Sequence, residues 1–248
     1  RGRLLAARWA HRFAFVLAIG GVGCEFFSRI GFPKEKIVPF GYFLDVPPLA
    51  DATPGRTSDG VVRFISAGQL IHRKGIDLLV RACAELPATG WRLDLYGDGP
   101  ERPRLEHMVR SLGLANRVAF HGVVSNDAVQ STLPQADCAV LPSRFDGWGT
   151  LVNESLAAGT PVICTAACGA AVLVSSAQLG SVVQTESPMP LSAALAHAVA
   201  RGPVQPQDRV AIHAHAAAHI SATRAAERFV SLLNREECHS AVAAGVDS

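Results

Sequence analysis

From residue 61 onward, short apolar runs alternate with stretches patterned at helical spacing, and this alternation limits the chain to few architectures. The runs lie at 61–66, 91–96, 117–121, 137–141, 161–165 and, more weakly, 181–184. Between the first two, Ile76, Leu79, Val80, Cys83 and Leu86 recur one helical turn apart. Residues 101–112, 127–133, 151–158 and 191–200 supply further helical segments. Strands joined by helices must run parallel, so the expected fold is α/β: a Rossmann-like parallel sheet with helices on both faces. A last helical stretch, 221–234, follows a Pro-containing loop and is expected to strap back across this domain. Upstream, residues 1–45 read as a strand, a helix and a closing extended segment, and 46–60 as a linker rich in Pro, Gly, Ser and Asp. No internal repeat occurs.

The 248 residues are 49% apolar, enough for a large core and too apolar for a disordered chain. A net charge of +2 with dispersed basic residues excludes a nucleic-acid platform, because no aromatic residues interleave with the cations. Six cysteines stand at 24, 83, 138, 164, 168 and 238 with no CxxC pair and no zinc-site partner for Cys164 and Cys168. They read as buried, inert thiols in a reducing compartment, with no metal. The basic stretch 1–12, the apolar run 13–19 and Gly20-Gly21-Val22-Gly23-Cys24 mimic a signal peptide or lipoprotein site. The run is short, however, and is read instead as a buried strand, 14–19, entering a Gly turn. The chain opens on Arg1 rather than methionine, which points to a fragment or a processed product. No run approaches the ~20 apolar residues that cross a bilayer.

Chemistry concentrates in Ser143-Arg144-Phe145-Asp146-Gly147-Trp148-Gly149-Thr150-Leu151-Val152-Asn153-Glu154, at a strand-to-helix junction. Backbone amides freed by Gly147 and Gly149 at a helix start attract phosphate. Glu154, about two turns after Asp146, can accept hydrogen bonds from sugar hydroxyls, a geometry suited to a nucleotide linked to a sugar. Asp146 and Glu154 could also be a hydrolase's acid and base, or Glu154 a solvated helix residue. Gly68-Gln69-Leu70-Ile71-His72-Arg73-Lys74-Gly75 follows the first strand of the alternation. It is either a diphosphate clamp or a surface loop with solvated charges. Gly97-Asp98-Gly99-Pro100 lacks the last glycine of a dinucleotide fingerprint and reads as a tight turn, with Pro100 opening a helix and Asp98 capping it. His213, His215 and His219 read as a helix surface, and no nucleophile elbow or Cys–His pattern is present.

In order, Gly68…Lys74-Gly75, Gly97-Asp98-Gly99, Arg117-Val118-Ala119-Phe120-His121-Gly122 and Pro142-Ser143…Glu154…Ala158-Gly159-Thr160-Pro161-Val162 resemble a known family. It is the C-terminal, donor-binding half of GT-B glycosyltransferases of retaining family 4. The resemblance runs from about residue 61 to 202. It implies that Lys74 neutralises the diphosphate of a nucleotide-diphosphate sugar, the donor substrate, with no further cofactor and no metal. Gln69 stands where the family has Arg, so one phosphate contact is lost or passes to Arg73. Glu154 matches the second Glu of the Glu-x7-Glu motif, which grips the ribose. Asp146 replaces the first, at the donor sugar, which puts sugar selectivity in question. Gly68 and the amides of Gly147, Trp148, Gly149, Thr150 and Leu151 would line the phosphates, and backbone near Val118 and Phe120 would edge the base.

The same resemblance implies transfer from the face that the nucleoside diphosphate leaves, with Lys74, Arg73 and helix-end amides stabilising the charge that develops. Residues 1–45 match only the end of an N-terminal acceptor domain, 46–60 the linker and 61–202 the nucleotide-sugar-binding domain. Residues 203–236 would be a C-terminal helical strap and 237–248 a tail. The expected activity is cytoplasmic transfer to a saccharide or lipid-linked acceptor, with peripheral membrane contact through the missing half and no nucleic-acid partner. Transfer by this chain alone is doubtful. The alternatives are a non-catalytic nucleotide-sugar-binding module or split-enzyme subunit that needs an acceptor-domain partner and, further off, a GT-B epimerase or phosphorylase.

Overall fold

A computed structural model describes residues 8–49, 59–184 and 187–244, with side chains through 234. Parts of the expected basic opening (1–7), linker (50–58) and tail (245–248), and the Cys238 side chain, lie outside the described residues.

Six parallel strands form the main sheet in the order β5-β4-β3-β6-β7-β8: β3 Val62–Ala67, β4 Trp91–Tyr96, β5 Val118–Gly122, β6 Cys138–Leu141, β7 Val162–Thr165 and β8 Gly180–Val183. Each falls within one residue of the apolar run that announced it. Because β3 pairs with both β4 and β6, the strand order reverses between β3 and β6, and the loops after these two strands flank this switch point. Strand side chains alternate between faces. Phe64, Leu93 and Leu95 pack under helices α2 (Ile76–Ala84), α3 (Arg102–Ser111) and α6 (Pro188–Arg201) through Leu79, Val80, Leu105 and Leu195. Ile65, Ala139, Leu141 and Cys164 pack on the other face under α5 (Thr150–Ala157) and α7 (Pro206–His219) through Val152, Leu156 and Ile212. The short helix α4, Asn126–Thr132, starts at Ser125, whose hydroxyl accepts the Ala128 amide hydrogen bond.

A smaller unit precedes this domain: β1 Val16–Ile19 and β2 Ile37–Phe40 pair in parallel, joined by α1 Gly20–Arg29. The expected Gly turn is instead the first turn of α1. Gly20 has φ 65°, and a Cβ there would meet the Gly169 backbone at 3.1 Å, so small residues let this helix approach the loop after β7. The final helix α8, Ala222–Ala244, returns to this unit: Arg228 donates to the Pro39 carbonyl at 2.7 Å, and Phe229 packs edge-on against Phe15.

Two expectations need correction. The stretch before α8 is not only a loop but the helix α7, with Pro206 in its first turn, where a missing N–H costs nothing. The helix surface read at His213, His215 and His219 belongs to it, but its Ala-rich sequence carries only a thin apolar stripe, Ile212 and Ala216, too sparse to mark its bounds. After the Gly97 turn, α3 begins at Arg102 rather than Pro100, and Asp98 accepts the Gly99 amide and pairs with Arg102. Four cysteines, 83, 138, 164 and 168, are buried, and burial pushes their thiols up to about 12, 12, 12 and 11. No helix is long and apolar enough to cross a membrane among the described residues.

Asp137 ties α7 to the sheet. Its buried carboxylate accepts the backbone amides of Arg63 (3.0 Å) and Val204 (2.9 Å), and Arg209 of α7 lies beside it while donating to the Ala136 carbonyl at 2.6 Å. Asp137→Ala leaves a guanidinium and two amides without their buried acceptor. We predict a loss of about 3–5 kcal/mol in urea unfolding; a loss under about 1 kcal/mol would show the knot to be dispensable.

Candidate functional site

The loops after β3 and β6 meet at the switch point at backbone contact. Gly75 adopts φ 67°, and a Cβ there would lie 2.1 Å from the Pro142 carbonyl oxygen, so only glycine permits this approach. The Arg144 amide then donates to the Arg73 carbonyl at 2.9 Å, and the Arg73 guanidinium donates to the Phe145 carbonyl at 2.9 Å. Lys74 Nζ reaches Asp146 Oδ2 at 2.6 Å, with the two side chains 18% and 11% exposed. The site's cation and its first carboxylate thus neutralise one another across the junction.

Asp146 is held from behind by the loop after β7. Its amide donates to the Ala167 carbonyl, and its carbonyl accepts the Gly169 amide, both at 3.0 Å. Gly169 must be small, because a Cβ would lie 2.2 Å from the Gly147 carbonyl oxygen. Helix α5 then begins at Gly149, φ 94°, with no side-chain cap. In its first turn the Val152 amide bonds the Gly149 carbonyl at 3.0 Å, whereas the Thr150 and Leu151 amides precede the first intrahelical acceptor, and the helix dipole adds partial positive charge there. Gly149 itself lies against Leu141 and Cys168, too close for a side chain.

Two cavities open on this junction. One, of about 320 Å³, is lined by Gly68, Lys74, Val124, Asn126, Gly149, Thr150, Leu151 and Glu154 among others. The other, of about 600 Å³, lies between the loops after β3 and β6 (Arg73, Lys74, Asp146, Gly147, Trp148, Gly149, Thr150) and the apolar side chains Ile19, Val22, Phe26 and Tyr42. Lys74, Gly149 and Thr150 border both. Of the residues singled out in the sequence, Gly68, Arg73, Lys74, Asp146, Gly147, Trp148, Gly149, Thr150, Leu151 and Glu154 therefore converge on one place. Gln69 is exposed, and Val118 and Phe120 pack with the core under α3; none of these three lines either cavity. Just beyond β5, Val124 and Asn126 line the smaller cavity.

Trp148 has a second job. Its ring is buried against Gly41, where a Cβ would come within 2.3 Å of it, and its N–H donates to Asn153 Oδ1 at 2.7 Å. Asn153 Nδ2 donates onward to the Tyr42 carbonyl at 2.8 Å, so this pair fastens the loop after β6 to the segment arriving from β2. Asn153, Asp77 and Arg144 had no assigned role in the sequence. The Asp77–Arg144 pair spans 67 residues and the Asn153–Tyr42 contact 111, distances no local pattern spans.

Among the described residues no group of three or more His, Cys, Asp or Glu side chains could hold a metal ion. His215 and His219 stack on each other, and His213 bonds the Ala157 carbonyl.

Half of the chain and more matches one family model, glycosyl transferases group 1, over residues 55–214, and the chain belongs to this family. A D-inositol 3-phosphate glycosyltransferase of Corynebacterium diphtheriae is 31% identical over 75% of this chain and 46% of its own length. A lipopolysaccharide core biosynthesis glycosyltransferase, LpsD of Rhizobium meliloti, is 36% identical over 54% of this chain and 38% of its own. The chain thus spans less than half the length of these curated relatives. Among solved structures, Anabaena HepE in complex with UDP superposes with a TM-score of 0.79 at 21% identity, over 94% of this chain and 67% of that one. The lipopolysaccharide outer core galactosyltransferase WaaB gives 0.78 at 19% identity, over 90% and 62%. The fold is that of the GT-B glycosyltransferases.

Burial raises the Glu154 carboxyl above its ordinary value, against a lowering hydrogen bond from Gln130. A carboxyl raised in the folded state binds protons more tightly there than in the unfolded chain. Stability is then lost as pH rises from the unfolded pKa through the folded one, and ionised Glu154 weakens the fold at neutral pH. Glu154→Gln removes that charge with little change of shape. We expect a melting temperature at pH 7 equal to or above wild type, an advantage that vanishes near pH 3; a lower melting temperature at pH 7 would contradict this account of the site.

Proposed function

We propose that this chain is the donor-binding part of a retaining glycosyltransferase of family 4, taking a nucleotide-diphosphate sugar. One observation carries the reading: the Lys74 cation, the uncapped start of α5 and the half-buried Glu154 line a single cavity at the sheet's switch point. The diphosphate sits at Lys74 and the Thr150 and Leu151 amides, the ribose hydroxyls hydrogen-bond to Glu154, and the base lies towards Val124 and Asn126. When phosphate arrives, Lys74 turns from Asp146 to the diphosphate, which frees the Asp146 carboxylate for a hydroxyl of the donor sugar. Charge building on the departing diphosphate is met by Lys74, Arg73 and fixed amides that need no reorganisation. HepE, which shares this fold, was crystallised with UDP, which supports a nucleoside diphosphate here.

The acceptor is proposed to be a saccharide or lipid-linked saccharide, in keeping with the lipopolysaccharide core enzymes among the relatives. A cytoplasmic setting agrees with the unpaired thiols of the five described cysteines.

A second reading, a nucleotide-sugar-binding module whose acceptor half comes from elsewhere, is favoured by the β1–α1–β2 unit. Its Phe26 is 57% exposed and Phe13 47%, and a two-stranded sheet is marginal alone. Efficient sugar transfer by this polypeptide without a partner would contradict that second reading.

The donor assignment is tested by thermal unfolding with a panel of nucleoside diphosphates. A ligand at about 100 times its Kd adds about 2.7 kcal/mol, a rise of about 5–10 °C for a domain of this size. One nucleotide should give this rise, and Lys74→Ala and Glu154→Ala should each abolish most of it. A rise that survives both substitutions would show that the nucleotide binds elsewhere.

A further inference from the structure

We propose that the ion pair between Arg144 and Asp77 is the positioning device that places Lys74 for the diphosphate, an inference that rests on the donor-site reading. The Arg144 guanidinium donates from both terminal nitrogens to both Asp77 oxygens, at 2.6 and 2.7 Å, in the paired geometry that only arginine offers a carboxylate. The same Nη1 donates to the His72 carbonyl at 2.8 Å, and the Arg144 amide donates to the Arg73 carbonyl at 2.9 Å. Arg144 therefore holds the chain at 72, 73 and 77, on both sides of Lys74. Between those points Lys74 closes a short 3-10 turn, His72–Lys74, and Gly75 leads in the left-handed conformation into α2. A turn pinned at both ends has one position for its third residue.

Arg144 stands two residues before Asp146, so the contact that sets the turn also sets the separation of Lys74 from Asp146. The Asp77 side chain is 9% exposed, and that of Arg144 is 27%. Burial would raise the Asp77 carboxyl, but the hydrogen bonds and charge of Arg144 outweigh it and hold the group below the usual carboxylate range. The pair is thus charged throughout the neutral range. Neither side chain lines either cavity at the junction, so the pair acts on the ligand through Lys74 rather than by contact.

The test uses Asp77→Asn and Arg144→Lys, with Lys74→Ala as reference. Calorimetric titration compares the tightest-binding nucleoside diphosphate with its monophosphate. We expect each variant to lose about tenfold or more in diphosphate affinity while the monophosphate, read mainly by Glu154 and the base wall, stays within about twofold. Arg144→Lys keeps the charge and loses the fork, so its failure to rescue would identify geometry rather than charge as the cause. A parallel readout needs no ligand: acetic anhydride should modify Lys74 several times faster in both variants, followed by mass spectrometry.

Equal losses for both nucleotides would overturn the proposal and make the pair a general support of the fold. Unchanged diphosphate affinity in both variants would also overturn it. Should wild type bind no nucleotide, the donor reading fails, and Lys74 reactivity decides the pair by itself: faster modification sustains it, and unchanged modification removes it. If Asp77→Asn no longer melts cooperatively, Arg144→Lys carries the same comparison.

Discussion

The contact of Gly75 with the Pro142 carbonyl is the constraint on which the rest of the site depends. It brings the loops after two neighbouring parallel strands to backbone distance at the place where the sheet reverses its strand order. Ligands of open α/β sheets bind at such a crevice because diverging loops leave room there. Here the loops do more than diverge. They are pinned by the Arg144 amide, by Arg73 on the Phe145 carbonyl and by the Arg144–Asp77 pair, which together fix a cation and a carboxylate 2.6 Å apart. The cost of ordering a long lysine side chain is thereby met in the folded protein rather than on ligand binding.

Around this junction the protein builds two further supports. The loop after β7 brackets Asp146 with two backbone hydrogen bonds, and Gly169 allows it to lie flat on Gly147. The Trp148–Asn153–Tyr42 chain fastens the same loop to the segment that leaves β2. The loop after β6 is therefore shared between the main sheet and the smaller β1–α1–β2 unit. A shift of that unit would be transmitted first to Trp148 and the start of α5.

The sheet was legible in the sequence because six short apolar runs, each bounded by turn residues, leave no alternative to parallel pairing. The start of α5 was legible for a similar reason: Gly147, Gly149 and the apolar residues after them announce a helix whose first amides lack a cap. Other features were not. Helix α7 hides in an Ala-rich stretch with a thin apolar stripe. Arg144 stood in plain view within the motif, yet its partner Asp77 lies 67 residues upstream and looks like any helix-start carboxylate. Trp148 was legible as a member of the strand-to-helix motif but not as a clamp on Gly41, since only the fold brings that glycine beneath its ring. The resemblance places the backbone near Val118 and Phe120 at the base edge, and it is silent on their side chains, which the strand geometry turns into the core under α3. Local chemistry was readable; pairings made by topology were not.

The most direct test of the central claim is a crystal structure of this chain with a nucleoside diphosphate. The account predicts the two phosphates on the Thr150 and Leu151 amides, Lys74 Nζ turned from Asp146 to a phosphate oxygen, and the ribose on Glu154, with Arg144 still forked to Asp77. A diphosphate bound away from α5, or one bound there with Lys74 still paired to Asp146, would contradict it.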